Sequence, residues 1–121
     1  MIISNILDMR YNMSPTSPTI EKQAKIFNAF ADERRLRILS MLKGCERCAC
    51  AIKNELGLPQ SSLSYHMKIL CDSGLVTDRR EGKWIYYSIN RSACMFAAGL
   101  IETIPAVDGG CGPDQKGATD E

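Results

Sequence analysis

Between Gly57 and Asn90 the hydrophobic period of this sequence changes once, abruptly, and that switch limits the folds open to it. Residues 60–73 keep a helical period, with Leu63, Met67, Ile69 and Leu70 on one face, and stop at Gly74. Leu75-Val76-Thr77 and Trp84-Ile85-Tyr86-Tyr87-Ser88-Ile89 are then β-rich runs flanking a charged turn, Arg79-Arg80-Glu81-Gly82-Lys83. Ahead of both, a short helix is expected from Cys48 to Leu56, closed by Gly57 and joined to the next helix by Leu58-Pro59. Two helices joined by a short Gly-containing turn form a helix-turn-helix, and here a hairpin follows directly.

Further elements frame this unit. Ile20, Ala24, Phe27 and Phe30 recur at helical spacing, so a helix starts near Ile20. Asp32 is placed to cap a second helix carrying Leu36, Ile38, Leu39, Met41 and Leu42 and ending at Gly44. Residues 92–104, with Ala93, Phe96, Ala97, Leu100 and Ile101 apolar, read as a last amphipathic helix. The order is mainly α with one β-hairpin, that of a winged helix-turn-helix. Three segments follow: a leader and linker over 1–18, a folded domain over 19–104, and an acidic, disordered tail over 105–121.

Size and charge agree with a single globular domain. The chain has 121 residues, 45% hydrophobic and 24% charged. No apolar run approaches the ~20 residues needed to cross a bilayer. Asp8 interrupts the apolar start and no basic leader precedes it, so a cytoplasmic location is expected. The net charge of +1 hides a gradient, +5 over residues 1–101 and −4 over 102–121. A modestly basic body permits a polyanionic partner.

The major groove of DNA admits one helix, whose leading side chains reach base edges. The 60–73 helix opens with Gln60, Ser61, Ser62, Ser64, Tyr65 and His66, and Ser61, Ser64, Tyr65 and Lys68 share a face. Gln pairs bidentately with adenine, and Ser and His serve bases or phosphates, with a packing role equally open for His66. Arg79, Arg80 and Lys83 at the hairpin tip suit phosphates or a minor groove. Trp84, Tyr86 and Tyr87 are expected as the apolar underside of the hairpin.

Six cysteines remain to be explained, three of them crowded into Cys45, Cys48 and Cys50. Clustered cysteines in a reducing compartment bind metal or do redox chemistry more often than they form structural disulfides. A helix N-terminus and Arg47 favour thiolates here. On a regular helix, however, residues i and i+2 lie ~200° apart, so Cys48 and Cys50 share an ion only if the first turn loosens. Zinc wants four N/S ligands, and there is no second Cys-x-x-Cys and one histidine, His66. Three thiolates suit a trigonal soft ion, As(III) or Sb(III), and no organic cofactor is expected. Cys71 and Cys94 fit the core better than a ligand set, and Cys111 stands alone in the tail.

The runs AFADERRLRILSML, ERCACAI, LGLPQSSLSYHMKILCDSGLV and RREGKWIYYSI together resemble the ArsR/SmtB family of metal- and metalloid-responsive repressors, over residues 24 to 90. ERCACAI resembles that family's arsenic-sensing ELCVCDL box, which implies that Cys48 and Cys50 are ligands. The best-studied arsenical repressors carry a third cysteine three residues after the second, where this chain has Lys53. Cys45 is the expected substitute, ahead of Cys71, Cys94 and Cys111. The resemblance further implies a homodimer joined through the first and last helices, binding an inverted-repeat operator in double-stranded DNA until the ligand releases it. The competing expectations are the same fold answering Cd(II), Pb(II), Zn(II), oxidants or reactive sulfur, a small thiol oxidoreductase, and an interaction module with inert cysteines.

Overall fold

The computed structural model describes residues 19–105. The segment 1–18 and residues 106–121, including Cys111, lie outside the described residues. Thr19 opens α1 (Ile20–Phe30), its hydroxyl accepting from the Lys22 amide at 3.1 Å. Asp32 caps α2 (Glu33–Met41) as its spacing predicts, accepting from the amides of Arg34 at 2.8 Å and Arg35 at 3.2 Å. A two-residue strand β1 (Arg47–Cys48) leads into α3 (Ala49–Leu56), which stops at Gly57. Gly57 has φ +66°, a left-handed turn that a side chain would strain. Then come α4 (Gln60–Asp72), β2 (Val76–Glu81), β3 (Trp84–Ile89) and α5 (Arg91–Thr103), the last capped by Asn90.

The strands form one antiparallel sheet in the order β1-β3-β2. Arg47 and Cys48 stand opposite Tyr87 and Tyr86, and Val76 to Glu81 run opposite Ile89 to Trp84. The strand β1 departs from the sequence expectation, which put Cys48 inside a helix. Two residues carry no period of their own, and only pairing with a distant strand reveals them.

The hairpin also differs from expectation. β2 runs on through Asp78-Arg79-Arg80-Glu81, leaving Gly82 and Lys83 as the two-residue loop. Gly82, at φ +61°, takes the first central position, where such loops demand positive φ. Arg79 and Arg80 therefore belong to a strand, and only Lys83 is at the tip. Period two then sorts β3: Tyr87 and Ile89 pack on the core, while Trp84 stays 48% exposed. Trp84 is thus no part of an apolar underside.

Ile38 and Leu42, Ile52, Leu63 and Leu70, and Leu75 and Val76 are the large side chains almost wholly removed from water, so α2, α3, α4 and the start of β2 feed one core. Ala29 and Met67 fill space beside them, and Ala93 and Ala97 hold α5 in place. No described helix is long and apolar enough to cross a membrane.

Candidate DNA-reading helix and cysteine site

The core contacts of Leu63, Met67 and Leu70 decide which side of α4 looks outward. Gln60, Ser61, Ser64, Tyr65 and Lys68 are exposed and Ser62 is half-buried. The Gln60 amide donates to Ser64 Oγ at 3.1 Å, and Lys68 pairs with Asp72 one turn on, at 3.2 Å. No acidic residue occupies the first turn, so the positive end of the helix dipole meets solvent uncompensated.

His66 breaks with the expected row. It is 5% exposed and faces inward, three residues after Leu63 and four before Leu70, on the buried stripe itself. Its Nδ1 lies 3.0 Å from Nη1 of Arg35, a second buried polar residue that sequence reasoning passed over. Both positions carried a signal, since Arg35 stands three residues before Ile38 and seven before Leu42, on the face that packs inward. His66 is therefore a packing residue and leaves the base-reading set.

On the hairpin, Arg79 is already engaged. Its Nε and Nη2 donate to the two carboxylate oxygens of Glu46, at 3.0 and 2.8 Å, and Nη1 donates to Glu81 at 3.0 Å. The guanidinium also lies 4.6 Å from the centre of the Tyr86 ring. These hydrogen bonds from Arg79 hold the Glu46 carboxyl below its ordinary range. Tyr86 thus carries a cation rather than forming an apolar underside. Glu46 was not singled out from sequence, because its partner lies on another element. Arg80 is exposed, and Lys83 at the tip sits over Trp84, 5.6 Å from the ring centre.

Cys48 is the N-cap of α3, with extended backbone, and Cys50 is the second residue of the helix. The rule that i and i+2 diverge does not apply to a cap, and the two sulfurs lie 2.8 Å apart. Cys48 Sγ also accepts from the Cys50 amide at 3.4 Å. The neighbouring Cys50 thiol and that amide push the Cys48 thiol below its ordinary value, while the same contact pushes Cys50 up. Arg47 plays no part in this, since its guanidinium turns to the Met41 carbonyl at 3.2 Å.

The other cysteines lie elsewhere. Cys45 is exposed in the loop before β1 and shares with Cys94 the lining of a separate hollow of about 550 Å³. Burial, with Asp78 and Asp72 nearby, pushes the Cys71 thiol to about 11, and burial raises that of Cys94. Among the described residues, no three His, Cys, Asp or Glu side chains gather in a way that could hold a metal ion. Cys48 and Cys50 form a two-sulfur clamp that fits a soft, thiophilic ligand. The expected convergence with Cys45 is not present in this arrangement.

A helix-turn-helix with a polar outer face, backed by a hairpin wing, defines a DNA-binding regulator. The chain belongs to the arsR family of bacterial regulatory proteins, whose family model matches residues 32–78. An uncharacterised HTH-type transcriptional regulator of Methanocaldococcus jannaschii is 46% identical over 70 residues, 57% of this chain and 79% of that protein. An arsenical resistance operon repressor of Bacillus subtilis is 40% identical over 77 residues, 61% and 71% of the two chains. The solution structure of a homodimeric winged helix-turn-helix DNA-binding domain from Mycobacterium bovis superposes with a TM-score of 0.57 at 34% identity, covering 69% of this chain and 80% of that one. Family and neighbours are transcriptional regulators, not enzymes, which disposes of the thiol oxidoreductase. The protein is an ArsR-family transcriptional repressor.

Proposed function

We propose that this repressor binds an inverted-repeat operator as a homodimer and lets go when trivalent arsenic or antimony is bound by Cys48 and Cys50. The observation that carries the reading is the pair of sulfurs 2.8 Å apart at the start of α3. The relatives named as arsenical resistance repressors support the choice of ligand. Gln60, Ser61, Ser62, Ser64, Tyr65 and Lys68 read or grip DNA from α4, with Arg80 and Lys83 on phosphates. For the dimer, Ile20 on α1 and Ile101 on α5, with Ile104 just beyond it, are 78%, 53% and 73% exposed, apolar surface that a second copy would cover.

Thiolates supply strong soft-donor bonds to such an ion. Cys48, with its lowered pKa, is the first donor, and Cys50 follows as it gives up its proton. The pair alone satisfies an arsenical with one carbon substituent, while inorganic As(III) on the pair keeps one hydroxide unless Cys45 is brought in from its exposed loop to replace it.

Holding both sulfurs on one ion disturbs Cys48 in two ways at once. It ceases to cap α3, which packs against the helix-turn-helix core through Ile52, and it strains the pairing of Cys48 with Tyr86 on the wing. A coupling of about 1–3 kcal/mol between sites suffices for a 5- to 150-fold loss of operator affinity.

The close sulfurs also favour a second reading, in which a peroxide or polysulfide takes two electrons and two protons from the pair to leave a Cys48–Cys50 disulfide. As(III) titration of the reduced protein on a fluorescent promoter fragment separates the two. Release by As(III) that Cys48→Ser or Cys50→Ser abolishes supports the first, and release by oxidant alone supports the second. Cys45→Ser should blunt the response to inorganic As(III) and spare that to a methylated arsenical. Cys48→Ser is a fair variant, since serine is itself a good N-cap.

A further inference from the structure

Arg35 is a charged side chain only 5% exposed, and each of its side-chain bonds crosses between elements. Nε donates to the Ala29 carbonyl at 3.1 Å and Nη2 to the Asn28 carbonyl at 2.9 Å, both in the last turn of α1. Ala29 O belongs to the carbonyls that a helix end leaves without intrahelical partners, while Asn28 O also accepts from the Ala31 amide at 3.0 Å. Nη1 reaches His66 Nδ1, in the middle of α4, at 3.0 Å. One cation on α2 thus ties the end of α1 to the inner face of the DNA-reading helix. Among the described residues no fully buried side-chain nitrogen or oxygen lacks a partner, and all three guanidinium nitrogens of Arg35 are bonded.

The chemistry of the pair dictates a protonation state. Arginine only donates and stays protonated at any physiological pH, so His66 Nδ1 must offer a lone pair. His66 is then the neutral imidazole with its proton on Nε2. A second proton at Nδ1 would remove the acceptor and set imidazolium against guanidinium in a site closed to water. The charged groups facing the ring are Asp32, Arg34 and Arg35, and the Tyr65 ring stands edge-on at 5.1 Å. Burial is the largest influence and Asp32 opposes it, while the two arginines add to it, so the pKa lies below its ordinary 6.5.

We infer that Arg35 and His66 are a positioning pair, locking α4 to the end of α1 in the DNA-competent pose, and that protonating His66 releases the lock and weakens operator binding. The inference rests on α4 being the DNA-reading helix. It assigns no new base contact, since both residues are buried rather than on the outer face of α4. The sign follows from the lowered pKa: the lock is intact at neutral pH and is lost as pH falls through that value, below 6.5.

Because His66 is the chain's one histidine, its titration is observable without assignment. Operator affinity of the full chain, measured by fluorescence anisotropy from neutral pH downward, should stay level and then fall as the imidazole NMR resonances shift. His66→Asn keeps an acceptor near Nδ1 and cannot titrate, so it should bind as wild type at neutral pH and stay level in acid. His66→Leu should bind about tenfold more weakly at neutral pH, having left a buried donor unmatched. An acid loss unchanged in His66→Asn overturns the inference whether or not His66→Leu folds, as does a folded His66→Leu with full affinity. A Ser61→Ala/Ser64→Ala variant checks the underlying reading separately: undiminished operator affinity there would remove α4 from the DNA contact, whatever His66 does.

Discussion

Two polar clusters flank the core, and they are built on opposite terms. Around Arg35 and His66 both residues are buried, and the guanidinium is held by two helix carbonyls and an imidazole that cannot move without disturbing a helix. Around Cys48, Cys50, Glu46 and Arg79 the groups are at or near the surface, bonded to one another through side chains that can turn away. The first arrangement holds a geometry and the second can change one. Burial decides the difference: an unmatched polar group costs a great deal inside and little outside.

The comparison can be broken experimentally, starting where the effect is largest. Arg35→Met should destabilise the fold by about 3 kcal/mol in urea unfolding, because the Ala29 carbonyl and His66 lose their donor together and the Asn28 carbonyl keeps only the Ala31 amide. A loss under 1 kcal/mol would mean that the node is not the fixture described. Next, Cys48→Ser and Cys50→Ser should abolish the response to As(III) in the operator assay while leaving the unfolding midpoint near wild type; a large fall in stability would make the thiols structural instead. Peptide-resolved alkylation against pH should label Cys48 from a lower pH than Cys71, whose thiol burial pushes up to about 11. Equal profiles would contradict the cap geometry. The smallest effect belongs to Glu46→Gln. Its bridge to Arg79 is half-exposed, so thermal stability should scarcely move. Freeing Arg79 for phosphate should steepen the salt dependence of operator binding by about one in log–log slope. An unchanged slope would leave Arg79 out of the DNA contact.

What could be read from the chain alone divides along the same line. Helices α1 to α5 and the hairpin follow from period, caps and glycine stops, all local properties, and Asp32, Gly57 and Gly74 mark their ends much as expected. Contacts between distant residues were not legible. β1 exists only because Tyr86 and Tyr87 lie beside it, and the ion pair of Glu46 with Arg79 depends on that same approach. The convergence of Cys48 and Cys50 turned on whether Cys48 was a helix residue or a cap, one position that periodicity cannot resolve. Arg35 is the instructive miss, and His66 is placed by its sequence no more closely than on DNA or in the core. Both lie on buried stripes in plain view, but a polar residue on such a stripe is read as buried only when its partner is known.

The two-residue strand β1 also has a consequence that runs from DNA toward the thiols. Coupling free energies between binding sites are symmetric, so whatever factor a ligand on Cys48 and Cys50 takes from operator affinity, the operator takes from ligand affinity. A wing pressed against a phosphate backbone steadies β3, and β3 in turn steadies Cys48 in its cap. On the proposed function, a dimer seated on its promoter would be the poorer detector, and unbound dimers would fill first. More copies of the repressor than operators would, on these terms, act as a buffer that delays the gene's opening until the free pool is loaded.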